Sequence, residues 1–572
     1  MALAEVSATT TSTRHGVHTH HLTLATVIAT CIAVCVGQIG LAIPAVLNGL
    51  FQQDLGPTSA QLTWISDAFL VPVSLLELTF GVMGDLFGRK RLLIGGSALM
   101  VVGEFVSILT PGVGTSTGSR VIVLWIGQIL AGIGAAVLFP TTLAMVAAGT
   151  HTVQSRARGI AIWAGALSSG GFISPVLGGL VTKASWGSDP YASWRWAFVT
   201  VGLLALVSTI VAFTAQNSSA PEGRSLDWPG QITIAIALFA LLYAVIDAST
   251  AGWTAGIVIV CFIIAVIFFA LFIVAEQRAP APLLRLDLFR NRAFAANSLL
   301  TVIGMFAFLG TAYSTSIRLS AIQGFTPLKS SIAFVLLQGF ALVLMPVTAR
   351  AIREFNPRWS LTGGFVLIGA GDLWLASESA SDLSIAPIIA PLVLVGVGFA
   401  FALSSVTAVA VDTVPNHLEG MASGTTSQLR DFGFTLGPAV IGAIALSMAA
   451  GDISRKLAAS PALRAAMAAF GQAPAHVPAA QRKSVEAAVG AVHSGPLGAN
   501  AVPATVPGPN GKPVPFNPLK DIAFHALSHA YSIGYLICGV SALVAGLIAA
   551  TVLHGRANDP LVAEESLQED VG

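Results

Sequence analysis

Fourteen stretches of this chain are each long and apolar enough to cross the hydrocarbon layer of a bilayer, and that dictates the solvent in which it folds. A spanning helix takes about 20 mostly apolar residues, because roughly 30 Å of hydrocarbon is crossed at 1.5 Å per residue and lipid tolerates no unpaired backbone groups. The runs lie near 24–47, 62–83, 92–111, 121–148, 158–182, 195–214, 229–248, 254–275, 294–317, 330–352, 360–377, 385–411, 422–449 and 524–553. With 55% hydrophobic and 10% charged residues among 572, the polar surface is too small to clothe a water-soluble globule. The 28 basic and 27 acidic residues cancel, so no bulk field exists to attract nucleic acid, and the expected partners are the lipid bilayer and small molecules.

An even number of spans puts both termini on one side. Lys and Arg in short loops stay in the cytoplasm. One set of loops carries fifteen of them, including Arg14, Arg89, Lys90, Arg91, Arg278, Arg290 and Arg556; the short loops opposite carry five, Arg120, Lys183, Arg195, Arg318 and Lys329. Both termini are therefore expected in the cytoplasm, with the chain in the cell (plasma or inner) membrane. The first apolar run is too long for a secretory signal and is read as a retained span. Loop composition divides the chain into a tail, 1–23; a six-helix half, 24–214; two linking spans with their loops, 215–293; a second six-helix half, 294–553, holding an outer loop at 450–522; and a tail, 554–572. Phe87 and Lys90 after span 2 match Phe355 and Arg358 after span 10, a degenerate repeat of the kind transporters use to alternate access around a midplane site. The outer loop mixes Ala-rich, helix-prone pieces with a Pro- and Gly-rich stretch from Gly508 to Pro518 and reads as a partly ordered linker or a lid.

Cys31, Cys35, Cys261 and Cys538 sit in apolar runs and read as packing residues; His15, His18, His20 and His21 belong to a polar tail. No phosphate-cradling loop, metal-spaced His and Cys set or catalytic soluble domain appears, so neither an enzyme nor a bound cofactor or metal is expected.

The sharpest motif lies between spans 2 and 3, where Gly81, Gly84, Asp85, Gly88, Arg89, Lys90 and Arg91 set an acid among glycines ahead of three bases. Glycines permit a tight reversal, and the charges sit at the cytoplasmic face. This closely resembles motif A of the major facilitator superfamily. Gly170, Gly171, Pro175, Gly178 and Gly179 in span 5 resemble the antiporter motif C of its fourteen-span drug:proton branch, with Ser174 where glycine is usual. Trp194 to Phe198, Leu226 to Gly230 and Pro282 to Arg292 are similarly branch-like. The resemblance implies an all-α polytopic fold of two six-helix halves plus two linking spans. It also implies a latch in which Asp85, with Arg89 and Arg91, meets the start of span 13 near Gly420 to Ser423 when the inner gate is shut.

Two positions depart from the branch. Its span 1 aspartate aligns with Cys35 and its span 4 arginine with Gln128, both neutral here. An acid that titrates beside a base that shifts its pKa makes a natural proton switch, so the coupling group has to be sought elsewhere. The candidates are Asp67 and Glu77 in span 2, Glu104 in span 3 and Asp372 in span 11, the last two being deepest. Arg430, about 13 Å into span 13, lies near Asp372 in height and is expected to pair with it. Gln38 and Gln128 would add neutral polar contacts to an apolar cavity. The expected activity is export of amphipathic or hydrophobic compounds by a monomer through alternating access, driven by protons. The rivals are a dedicated exporter of one metabolite and a non-transporting receptor or scaffold.

Overall fold

The computed structural model describes residues 23–553 apart from 113, 151–152, 188, 190, 220–225, 281, 283, 355–356, 415–418, 477–478 and 508–511. The expected tails apart from Thr23, the four tail histidines, Arg14, Arg224, Phe355 and residues 508–511 of the Pro- and Gly-rich stretch lie outside the described residues.

The first half is α1 (Leu24–Ala42), α2 (Pro44–Leu55), α3 (Ser59–Phe87), α4 (Arg89–Ile108), α5 (Thr117–Ala148), α6 (Val153–Val181) and α7 (Arg195–Ala212). The linking pair is α8 (Trp228–Ala251) and α9 (Gly256–Arg278). The second half is α10 (Arg292–Ser316), α11 (Pro327–Val343), α12 (Met345–Glu354), α13 (Pro357–Ser377), α14 (Ala386–Asp412) and α15 (Glu419–Ala459), closed after an intervening segment by α19 (Lys520–Val552). Among the described residues thirteen helices are long and apolar enough to cross a membrane, and α11 with α12, bent by 51°, makes a fourteenth span.

Two of the expected spans are broken, both just before a proline. Span 1 turns at Ile43 ahead of Pro44 and runs on to Leu55, and span 10 breaks at Leu344 ahead of Pro346. Proline supplies no N–H to the preceding turn and clashes with it, so the helix restarts there. A π-helical turn, Ile317–Ile322, closes α10.

The duplication is written into the backbone at a fixed interval. Asn48 of α2 donates to Ser316 of α10 at 2.8 Å, and the two lie 268 positions apart. The same interval separates the first residues of α1 and α10, of α3 and α11, and of α4 and α13. It also relates the left-handed Gly56 (φ 59°) to Gly324 (φ 69°) and the N-cap Thr58 to the N-cap Thr326. A glycine in the left-handed region followed by a hydroxyl cap two residues on is a local instruction for ending one helix and starting the next.

The segment after α15 is built rather than loose. α15 itself continues to Ala459, and α16 (Pro461–Gln472), α17 (Ala479–His493), α18 (Pro496–Ala501) and the hairpin β1 (Thr505–Pro507) and β2 (Pro513–Pro515) follow. Phe470, Val492, Ala499, Val502, Leu519 and Ala523 form its own small apolar core, which replaces the linker reading. Asn500 donates to the carbonyls of Ala321 and Ile322 at 2.9 and 3.3 Å, pinning this cap to the π turn. The end of the bundle holding the α3–α4 turn is called here the basic face, and the other the cap face.

Candidate functional site

A cavity of about 1140 Å³ of empty space, its mouth included, lies between the two halves. The first half contributes Gln38, Asn48, Phe139 and Trp163, among others, and the second Phe308, Tyr313, Phe334, Gln338, Phe399 and Phe434. Phe308 and Phe399 stack with centroids 3.5 Å apart, and Phe434 stands 6.4 Å from each. A wall of aromatic rings with scattered amides and hydroxyls suits amphipathic molecules whose apolar body needs area and whose few polar groups need orientation.

Two charged side chains line this cavity, Arg430 and Asp431, adjacent on α15. The guanidinium grips the carboxylate through Nε at 2.8 Å and a terminal nitrogen at 3.2 Å. Glu77 of α3, 7% exposed, brings its carboxyl within hydrogen-bonding reach of Asp431 and beside Arg430. Two carboxyl groups share a hydrogen bond only if one of them carries a proton. The cluster sets two acids beside a fixed cation, and it straddles the seam between the halves, where Gln428 of α15 also donates to the Ser74 carbonyl at 3.4 Å.

The other candidates fall elsewhere. Arg430 pairs with Asp431 and not with Asp372, which accepts from Thr311 at 2.7 Å within the second half and packs on Gly539 of α19. Glu104 is fully buried, and a Cβ on Gly202 of α7 would meet its side chain at 3.3 Å. The repeat interval makes Glu104 and Asp372 equivalents, each turned into its own half-bundle and absent from the cavity wall. Gln128 is likewise internal, donating to Ser107 at 3.0 Å, whereas Gln38 lines the cavity.

The glycine motif at the basic face folds into a compact knot. Asp85 holds Arg89 through two bonds of 2.7 and 3.1 Å, Gly88 turns the chain at φ 99°, and Lys90 reaches the Phe213 carbonyl at 2.7 Å beyond α7. Gly81 and Gly84 let α3 approach Pro140 and Thr141 of α5, and Arg91 is exposed. Of the expected latch partners on span 13, only Ala422 has a described side chain. The span 5 motif faces two neighbours: Gly170 and Gly178 admit Cys35, Gln38 and Val46 of α1 and α2, while Gly171 and Gly179 admit Gln338 and Leu328 of α11 in the other half. Pro175 sits inside α6, and Ser174 donates to the Ile39 carbonyl at 3.0 Å.

Two groups escaped sequence reasoning. Asp431 was hidden behind its neighbour Arg430, although it shares a helix face with Phe434 and Pro438, both cavity residues. Asp54, at the cap-face end of α2, accepts from Arg120 at 2.5 Å, Trp194 at 2.7 Å and Arg195 at 3.2 Å. Two arginines counted as loop residues are thus buried ion-pair partners.

Two bundles related by an internal repeat, closed around a central cavity with small residues along their seams, define a secondary transporter of the alternating-access type. Residues 28–438 match the model of the Major Facilitator Superfamily, and the chain belongs to that superfamily. It is similar to the tetracenomycin C resistance and export protein of Streptomyces glaucescens, 29% identical over 432 residues, covering 75% of this chain and 77% of the relative. It is also similar to the multidrug resistance protein Stp of Mycobacterium tuberculosis, 30% identical over 385 residues and covering 67% and 68%, and to the multidrug efflux pump LfrA of Mycolicibacterium smegmatis at 25% over 398 residues. Among solved structures, a bacterial homolog of the lysosomal transporter Spinster aligns with a TM-score of 0.59 over 92% of this chain and 97% of that one at 14% identity, which shows the shared fold.

Proposed function

We propose that the protein exports amphipathic or hydrophobic small molecules in exchange for protons, with the Glu77–Asp431–Arg430 cluster as the exchange site. The observation carrying this reading is that Asp431, the one carboxyl lining the central cavity among the described residues, has the Glu77 carboxyl of the other half beside it, on the seam that must part for the basic face to open. With a proton the cluster is neutral; without one it bears a net negative charge that a cationic or strongly dipolar substrate can satisfy, so proton and substrate compete. The substituted positions Cys35 and Gln128 then cost no coupling, because the acid and the base have moved to α3 and α15. The basic face is cytoplasmic, the protein works as a monomer in the plasma membrane, and it has no enzymatic role. Resistance and efflux relatives favour drugs or antibiotics as cargo.

The test is flux in proteoliposomes with ethidium, tetracenomycin C and methylenomycin A. One pH unit supplies about 1.4 kcal/mol per proton, so a one-to-one exchanger accumulates substrate about tenfold. Glu77→Gln and Asp431→Asn are expected to abolish that accumulation. Wild-type flux indifferent to the gradient would defeat the reading, and movement of a single compound would mark a dedicated exporter.

A further inference from the structure

Asn48 and Ser316 are repeat equivalents, one from each half at the same register, and they are hydrogen-bonded to each other. Two halves related by an axis along the membrane normal can bring equivalent residues together only at that axis, which is also the line the transport path follows. On α2 and α10 these are the cavity residues nearest the cap face, so their contact closes the chamber at that end. One turn further, about 6 Å on, the pairing of equivalents recurs in Gln52 and Ser320. Gly49 lets the two elements meet there, since a Cβ on it would lie 3.0 Å from the Ser320 carbonyl oxygen. On the α3 side the chamber ends at Tyr313, whose hydroxyl is bonded to Thr63 at 2.9 Å; Asp67 is fully buried beside Tyr313 and does not line the cavity.

The closed junction leaves amide groups unmatched. The Ser316 hydroxyl donates to the Ala45 carbonyl, so it offers Asn48 only a lone pair. The amide nitrogen of Asn48 takes that place at 2.8 Å, which fixes the amide and turns Oδ1 away from Ser316. That oxygen has no hydrogen-bond partner among the described residues, although Asn48 is 0% exposed. Neither polar atom of Gln52, 5% exposed, has one. A buried acceptor without a donor carries its full desolvation penalty, and apolar side chains of similar shape would close the gate without it. What relieves the penalty is an N–H or O–H group arriving through the cavity.

We propose that Asn48 and Gln52 form an exit subsite that selects cargo carrying N–H or O–H donors. Asn48 Oδ1 accepts the donor at the cap-side end of the cavity, and the Gln52 amide oxygen accepts it in turn as α2 and α10 part. The inference rests on export through this cavity and is independent of what drives it. The aromatic wall below holds the apolar body of the cargo, and the amides sort cargo by its polar edge.

The experiment uses full-length protein in proteoliposomes and follows substrate exchange at equal pH on both sides, with ethidium, whose aryl amines are N–H donors, and with tetraphenylphosphonium, an aromatic cation that has none. Asn48→Leu should raise the half-saturating ethidium concentration about tenfold, the worth of one matched hydrogen bond, and leave that of tetraphenylphosphonium unchanged. Gln52→Leu should lower the maximal ethidium rate without moving its half-saturation, and again spare tetraphenylphosphonium. Equal losses for both cations, or ethidium exchange in both variants like that of wild type, would overturn this inference and spare the export reading. Wild-type protein that moves neither cation would overturn both. If Asn48→Leu does not fold, Ser316→Ala, which frees the amide to rotate, must weaken ethidium alone; a matching loss for tetraphenylphosphonium counts against the proposal.

Discussion

Gly179→Ala tests whether the span 5 motif sets how firmly the cap face is shut. A Cβ at that position would lie 2.7 Å from the Leu328 Cα and 3.1 Å from its backbone nitrogen, across the seam between α6 and α11. Carbon atoms pack best at about 3.5–4.0 Å, so the intrusion is close to 1 Å, and the atoms it meets are backbone that cannot swing aside. Overpacking of this kind costs about 1–3 kcal/mol. That cost is borne only while the seam is closed, so it moves the equilibrium towards the cap-open form by roughly 5–150-fold. The assay is the rate at which a membrane-impermeant thiol reagent, applied from the cap face, labels a cysteine placed at Ala312 in a chain whose four native cysteines have been replaced. Labelling should accelerate by that factor in Gly179→Ala. It should change little in Gly118→Ala, where nothing lies within 4 Å, and by an intermediate amount in Gly171→Ala, where the obstacle is the mobile end of Gln338. An unchanged or slower rate in Gly179→Ala would refute the assignment of this glycine to closure.

Other outcomes follow from the same geometry. Asp54→Asn strips the shared counter-charge from the buried Arg120 and Arg195, a loss of about 3–5 kcal/mol; the half-life against heat in detergent should shorten more than tenfold, and replacing Asp54, Arg120 and Arg195 together by apolar residues should restore most of it. Gly88→Ala forces a side chain into φ 99° and should destabilise the basic-face turn by about 1–2 kcal/mol, read as a lower melting temperature and slower transport. Glu104→Gln and Asp372→Asn should keep gradient-driven ethidium accumulation within about twofold of wild type, since neither group lines the cavity.

The spans were legible because lipid imposes a length and a composition that no other environment demands. Their breaks were legible too, at Pro44 and Pro346, but counting apolar residues smooths over them. The azimuth of a side chain was not legible. Glu104 and Asp372 satisfy every sequence criterion for depth, yet Gly202 and Gly539 turn them inward, because the direction a helix presents depends on which neighbour has room for it. The repeat register stood in plain view at Gly56–Thr58 and Gly324–Thr326. The same interval of 268 positions relates Phe87 to Phe355 and Lys90 to Arg358 in the basic-face loops.

The two linking spans bear on how lipophilic cargo gets in. α8 lies along the groove between α3 and α15, where Leu238, Leu242 and Ile246 pack on Val71, Leu75 and Ala439, while α9 shows most of its surface to the surroundings. One flank of the central chamber is thereby walled off from the acyl chains, and the α6–α11 flank alone remains for molecules arriving sideways out of the leaflet. Photoreactive lipid probes should accordingly mark Trp163 or Ala341 and bypass Val71, giving a pump with a single side door.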